Sequence, residues 1–154
     1  MSSKIITTTE EGNKILKQQQ QPLAILQDDF TPSKGNALQA CVASIFGQPL
    51  HEVPNFITMD CGYLQGIQDY VKDSYTVHKK NASNGSIEDV DDIGKLCILR
   101  GKSPRGDFGH VVVARIKEDK SIEMKHDPHP DGTYLDMQET YGWYIVFEGK
   151  GDIS

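Results

Sequence analysis

No run of apolar residues in this chain approaches the length of a helical membrane span. The first residues also lack the apolar core of an export signal, because Ser3, Lys4, Thr7 to Thr9 and Glu10-Glu11 interrupt it. A cytoplasmic location is the expectation that follows. Clustered Lys and Arg are missing too. With a formal charge of −6, the chain carries no basic patch of the kind that nucleic acid or an anionic membrane requires, so neither is expected as a partner. Cysteine is scarce: Cys41, Cys61 and Cys97 are odd in number and match no zinc spacing, which argues for reduced thiols over a disulfide framework. There is no internal repeat and no cofactor-binding motif.

What is present is enough for one domain. The 154 residues, 37% hydrophobic and 25% charged, can bury roughly two-thirds of the unfolded surface. Residues 1–22 are polar, end in Gln18 to Gln21 and Pro22, and read as a flexible or peripheral N-terminal segment, with a short helix over 10–20 as the alternative. A domain over residues 23–150 follows. Its clearest element runs from Asn36 to Gly47: Leu38, Cys41, Val42, Ile45 and Phe46 recur at helical spacing, Asn36 stands at the N-cap position and Gly47 at the C-terminal stop. One turn at Pro49 to Val53 and a second helix over Asp60 to Asp73 come next. The period then changes to that of strands in Tyr75 to His78, Leu96 to Arg100, His110 to Ile116, Ser121 to Lys125 and Trp143 to Phe147. Lys79 to Gly94 and Gly101 to Gly109 read as mobile loops. Helices followed by a run of strands predict an α+β fold with a mostly antiparallel sheet.

Three positions bear on chemistry. Residue 37 falls in the first turn of the predicted helix, where unpaired N–H groups and the helix dipole lower a thiol pKa and can hold an oxyanion. The chain has alanine there. His110 opens the most apolar strand, a position at which a histidine can equally be a strand-end residue satisfied by water or a carbonyl. Asp127 lies in His126-Asp127-Pro128-His129-Pro130, which ends the next strand and also reads as an Asp-capped turn. His126 and His129 could contribute to a metal site, but the prolines do not make them converge and no distant ligand is indicated. The order helix start, histidine, acid is nevertheless the order in which Cys-His-Asp hydrolases assemble a triad.

Gly35-Asn36-Ala37-Leu38-Gln39-Ala40-Cys41, followed by Gln48-Pro49-Leu50 and Glu52-Val53-Pro54-Asn55-Phe56, resembles a family of small papain-like cysteine hydrolases of bacteria and phages. Its first motif reads Gly-Asn-Cys-Leu-Gln-Ala-Cys, and it shares Gly-His-Val-Val (here Gly109 to Val112) and His-Asp-Pro-His-Pro (here His126 to Pro130). A more distant pattern is similar to the bacteriocin-processing peptidases. The resemblance covers roughly residues 24 to 148 and implies a papain-like fold, thiol-dependent chemistry at an amide or ester carbonyl, no cofactor, and a peptide or small amide as substrate. It puts the nucleophile position at Ala37, the base at His110, the orienting acid at Asp127 and an oxyanion-hole amide at Gln27, with Asn36 and Gly109 as substrate-binding candidates. Cys41, one turn further on, is expected to pack in the core. Asp60-Cys61-Gly62 is the alternative location for a working thiol.

Overall fold

The computed structural model describes residues 7–8, 14–31, 34–82, 85 and 87–150. Helix α1 (Ala37–Phe46) is its centre, and every residue from Leu38 to Phe46 is buried. Burial on one face was expected from the spacing; burial on all faces arises because the chain passes over the outer side as well. Small Ala40 and Ala43 allow that close approach, and the polar side chains are satisfied internally. Ser44 Oγ donates to Ala40 O at 2.8 Å, and Gln39 Nε2 donates to Leu50 O at 2.9 Å and Val53 O at 2.7 Å. Gly47 ends the helix in the left-handed conformation at φ 66°, its N–H returning to Ala43 O.

The covering segment corrects the reading of the N-terminal region. Thr7–Thr8 (β1) pairs with Lys14–Ile15 (β2), and residues 16–28 form an extended strap rather than the helix expected over 10–20, of which 10–13 lie outside the described residues. Leu16 is 4% exposed in the main core. Backbone hydrogen bonds from Gln19 N to Ile45 O, Leu23 N to Ser44 O and Gln27 N to Pro128 O fasten the strap to α1 and to the far turn. Where the α1 carbonyls near its C-terminus need donors, an extended strap supplies them and a helix would not.

Helix α2 (Tyr63–Val71) follows two short 3₁₀ turns, Leu50–Glu52 and Phe56–Thr58. Strands β3 (Tyr75–Asn81), β4 (Leu96–Lys102), β5 (Gly109–Ile116), β6 (Ile122–His126) and β7 (Trp143–Gly149) form an antiparallel sheet of order β3-β7-β4-β5-β6. The fold is thus α+β, with helices packed on a five-stranded antiparallel sheet. Leu96, Ile98, Val111, Val113, Ile145 and Phe147 face α1, while Cys97, Leu99, Val112, Ala114, Tyr144 and Val146 form a second core on the other face. A bulge between Val113 and Ala114 shifts the β5–β6 register.

Part of the segment expected as a loop at 79–94 is regular secondary structure. Strand β3 continues to Asn81, and a 3₁₀ turn at Val90–Asp92 carries the wholly buried Asp92. Lys80 Nζ at 2.9 Å, Lys95 Nζ at 3.3 Å and Tyr144 Oη at 2.6 Å all donate to its carboxylate. Among the described residues, no helix is long and apolar enough to cross a membrane.

Candidate active site

A cavity of about 720 Å³ opens between the first turn of α1 and the ends of β4, β5 and β7. Gln27, Ala37, Gly109 and His110 all line it. Asp127 stands behind His110, and Asn36 is absent from the lining.

The loop before α1 is built by Asn36. This residue is 3% exposed, and instead of capping the helix its Oδ1 accepts from the N–H of Asp28 at 3.0 Å and of Asp29 at 2.9 Å. Its Nδ2 donates to Asp28 Oδ1 at 2.8 Å, and Asp28 in turn pairs with His51. Asn36 thus holds the loop together and, buried and outside the cavity lining, is not placed as the substrate contact expected of it. One consequence reaches the cavity: α1 begins without a side-chain cap, so its first-turn N–H groups beside Ala37 have no capping acceptor. Gly35 is needed in this loop, since a Cβ there would meet Asp29 O at 3.0 Å and Thr31 O at 3.2 Å.

His110 Nε2 is 2.7 Å from Asp127 Oδ1, and both side chains are buried. The bulge in β5–β6 and the break at Pro128 bring the acid to this point. Asp127 also accepts from His129 N at 3.0 Å and, through Oδ2, from Tyr134 N at 2.8 Å. Tyr134 adopts φ 63°, a left-handed conformation uncommon for an aromatic residue, and so aims its N–H at the carboxylate. Burial by itself would raise the Asp127 pKa, but the hydrogen bonds from His110, His129 and Tyr134 outweigh it and hold the carboxyl below its ordinary value. With Nε2 bound to an ionised acid, His110 has Nδ1 as its second nitrogen for a proton.

Gln27 is 7% exposed. Its Nε2 donates one hydrogen to Asp29 O at 3.1 Å, which leaves the other unassigned, while Oε1 is buried with no partner among the described residues. No family model, no curated protein and no solved structure matches this chain.

The thiols are elsewhere. Cys41 is completely buried in the α1 core, and burial, with a smaller contribution from the Asp127 charge, pushes its pKa well above the usual thiol range. Cys97 lies in the second core, where burial pushes its thiol up to about 12. Cys61 is exposed and lies outside the cavity lining, its Sγ 3.6 Å from Gly62 O. His126 donates through Nε2 to Ile25 O at 2.6 Å, which seats the strap. His129 packs edge-on against Phe30 with ring centroids 5.0 Å apart. Among the described residues, no three His, Cys, Asp or Glu side chains converge as metal ligands.

Among the lining residues that the sequence did not point to as part of a site are two that flank each other. Arg100 at the end of β4 and Trp143 at the start of β7 are cross-strand partners beside the cavity. The alternation of β4 does place residue 100 on the α1 side with Leu96 and Ile98. Only the strand order, which pairs β4 with both β5 and β7, brings it next to Gly109 and Trp143.

Proposed function

We propose that this cleft is a papain-like site for thiol-dependent hydrolysis or acyl transfer at an amide or ester carbonyl, with residue 37 as the nucleophile position. The chain bearing Ala37 is then a form that binds substrate without turning it over. One observation carries the reading: a buried His110–Asp127 pair in the wall of a cavity that also receives the uncapped first turn of α1 at residue 37. A histidine oriented by a carboxylate serves as base, and a helix N-terminus favours a thiolate.

With cysteine at position 37, His110 Nδ1 takes the thiol proton and the thiolate adds to the substrate carbonyl. The oxygen charge falls between the N–H of residue 37 and the second Nε2 hydrogen of Gln27. Collapse breaks the bond to the leaving group, which departs with the proton from His110, and leaves a thioester. Water or a second amine then releases the acyl group. A methyl group has neither lone pair nor proton for this sequence, and loss of a triad nucleophile lowers turnover on the order of 10⁶-fold. That same methyl group favours the second reading, a binding module for a peptide or small amide.

The test is the iodoacetamide rate against pH for Ala37→Cys, with Cys61 followed by mass spectrometry in the same sample. The hydrolase reading expects fast alkylation with an apparent pKa well below about 8.5, and loss of that depression in Ala37→Cys/His110→Ala. A thiol that titrates like a free one with His110 intact refutes it and leaves the binding module.

A further inference from the structure

The chain is acidic overall, yet the cavity is not. Its ionisable lining consists of Arg100, Arg105, Tyr63, His110 and His129, with no carboxylate among them. The two arginines differ in kind. Arg105 is held by Asp131 Oδ1 and Thr133 Oγ1, each 2.9 Å from Nη1, so its charge is already matched. Arg100 makes no ion pair or side-chain hydrogen bond among the described residues. Asp107 lines an adjoining recess of about 300 Å³ that shares Arg100, and no ion pair joins the two.

The position of this guanidinium is specific. It lies flat over Gly109: a Cβ on that residue would be 2.1 Å from Nη2, 2.5 Å from Cζ and 2.8 Å from Nε. Gly109 directly precedes His110, and both line the cavity together with Arg100. On the other side stands Trp143, its cross-strand partner, stacked on Tyr63 with ring planes 15° apart. Phe30 and Phe108, more than half exposed at 52% and 56%, add apolar surface at the mouth. A planar fork of donors beside apolar side chains matches a carboxylate bidentately; Lys79, with Nζ 5.1 Å from the Trp143 ring and 5.4 Å from that of Tyr63, is outside the cavity lining.

We propose that Arg100 is the anion anchor of this cleft, selecting acylated amino acids or peptide termini whose free carboxylate adjoins the scissile amide. Its use as a substrate anchor rests on the hydrolase reading above; the carboxylate binding itself does not. A merely solvated surface arginine would impose no such selection.

The chain as it stands can be tested, because Trp143 is its single tryptophan and reports occupancy by its fluorescence. The probes are N-benzoylglycine, its neutral amide N-benzoylglycinamide, and inorganic phosphate, at low ionic strength. The expected result is carboxylate binding about tenfold tighter than amide binding, as one charge-assisted contact in an open cleft supplies. Arg100→Gln should erase the preference while leaving the amide affinity within about twofold, which also shows that the cleft is intact. Gly109→Ala, which displaces the guanidinium tip rather than backbone, should reduce the preference for the carboxylate over the amide. Equal affinity for the two probes, a preference that survives Arg100→Gln, phosphate binding in place of the carboxylate, or no saturable signal with either benzoyl probe overturns the proposal. The alkylation result at position 37 is independent of all four.

Discussion

At the scale of single residues, the ionic state of Asp127 follows from three donors converging on one buried carboxylate. Its lowered pKa has a definite sign in stability. A group whose folded pKa lies below its unfolded value stabilises the fold above the unfolded value, about 3.9 for Asp, and that contribution is lost as pH falls through the folded value. Urea midpoints should therefore drop as pH falls below about 4, and Asp127→Asn should flatten that part of the curve. Gln27 makes a second case. Its backbone is fastened to Pro128 O and one amide hydrogen to Asp29 O, so the remaining hydrogen is held in place with little left to order. In the Ala37→Cys background, Gln27→Ala should lower turnover by roughly 10²- to 10³-fold with a small change in KM. Unchanged turnover would take Gln27 out of the reaction and leave it as the clasp between strap and turn.

At the scale of elements, the strap over residues 16–28 is the part whose role differs most from its composition. Leu16 is the only residue from 16 to 22 in the main core, yet it is buried there in the cluster that also holds Phe46 and Phe147. Leu16→Ala should cost about 2–4 kcal/mol by urea denaturation, as truncation of a packed leucine does; a loss below about 0.5 kcal/mol would return the segment to the status of a surface tail. The elements that could be read from the sequence were those with an internal period and a stop signal. Helix α1 had its apolar repeat and Gly47, and the strands had β-branched runs bounded by glycine or proline. The strap had neither, because its partners are α1 carbonyls and Ser74 and Tyr75, reached across the chain. The same difference divides the cavity residues. Ala37, His110 and Asp127 were visible as helix start, strand start and strand end. Arg100 was not, because its position depends on which strands neighbour β4. Asn36 looked like an N-cap, but two loop N–H groups compete for the same oxygen and win.

At the scale of the whole molecule, the sheet separates two polar centres that a sequence cannot distinguish, since each is an acid ringed by donors. Asp127 serves the cavity on the α1 side, and Asp92 lies at the second core with Lys80, Lys95 and Tyr144. Burial of Asp92 opposes ionisation, but hydrogen bonds from Tyr144 and Lys80 prevail and its pKa is lowered. Lys80 is raised in turn, its two carboxylate partners outweighing its own desolvation. By the same linkage, the Asp92 contribution is lost as pH falls through its depressed folded value, and the Lys80 contribution as pH rises through its raised one, so the centre is stabilising between them. If the two acids have separate duties, their variants should dissociate. Asp92→Ala removes a buried charge and leaves Tyr144 and two lysines without their acceptor, a loss toward the lower end of about 3–5 kcal/mol because both lysines keep water contact. In the Ala37→Cys background it should nevertheless leave the pH profile of alkylation unchanged, since its hydrogen-bond partners Lys80, Lys95 and Tyr144 lie outside the cavity lining. Asp127→Asn should do the reverse, with a smaller loss of stability and an apparent thiol pKa displaced toward the free value, because His110 then lacks the carboxylate that orients and charges it. The measurement pairs urea denaturation with iodoacetamide rates on both variants. An Asp92→Ala protein that remains folded but shows a shifted alkylation profile would mean that the two faces of the sheet are coupled, and the separation of structure from chemistry argued here would fail.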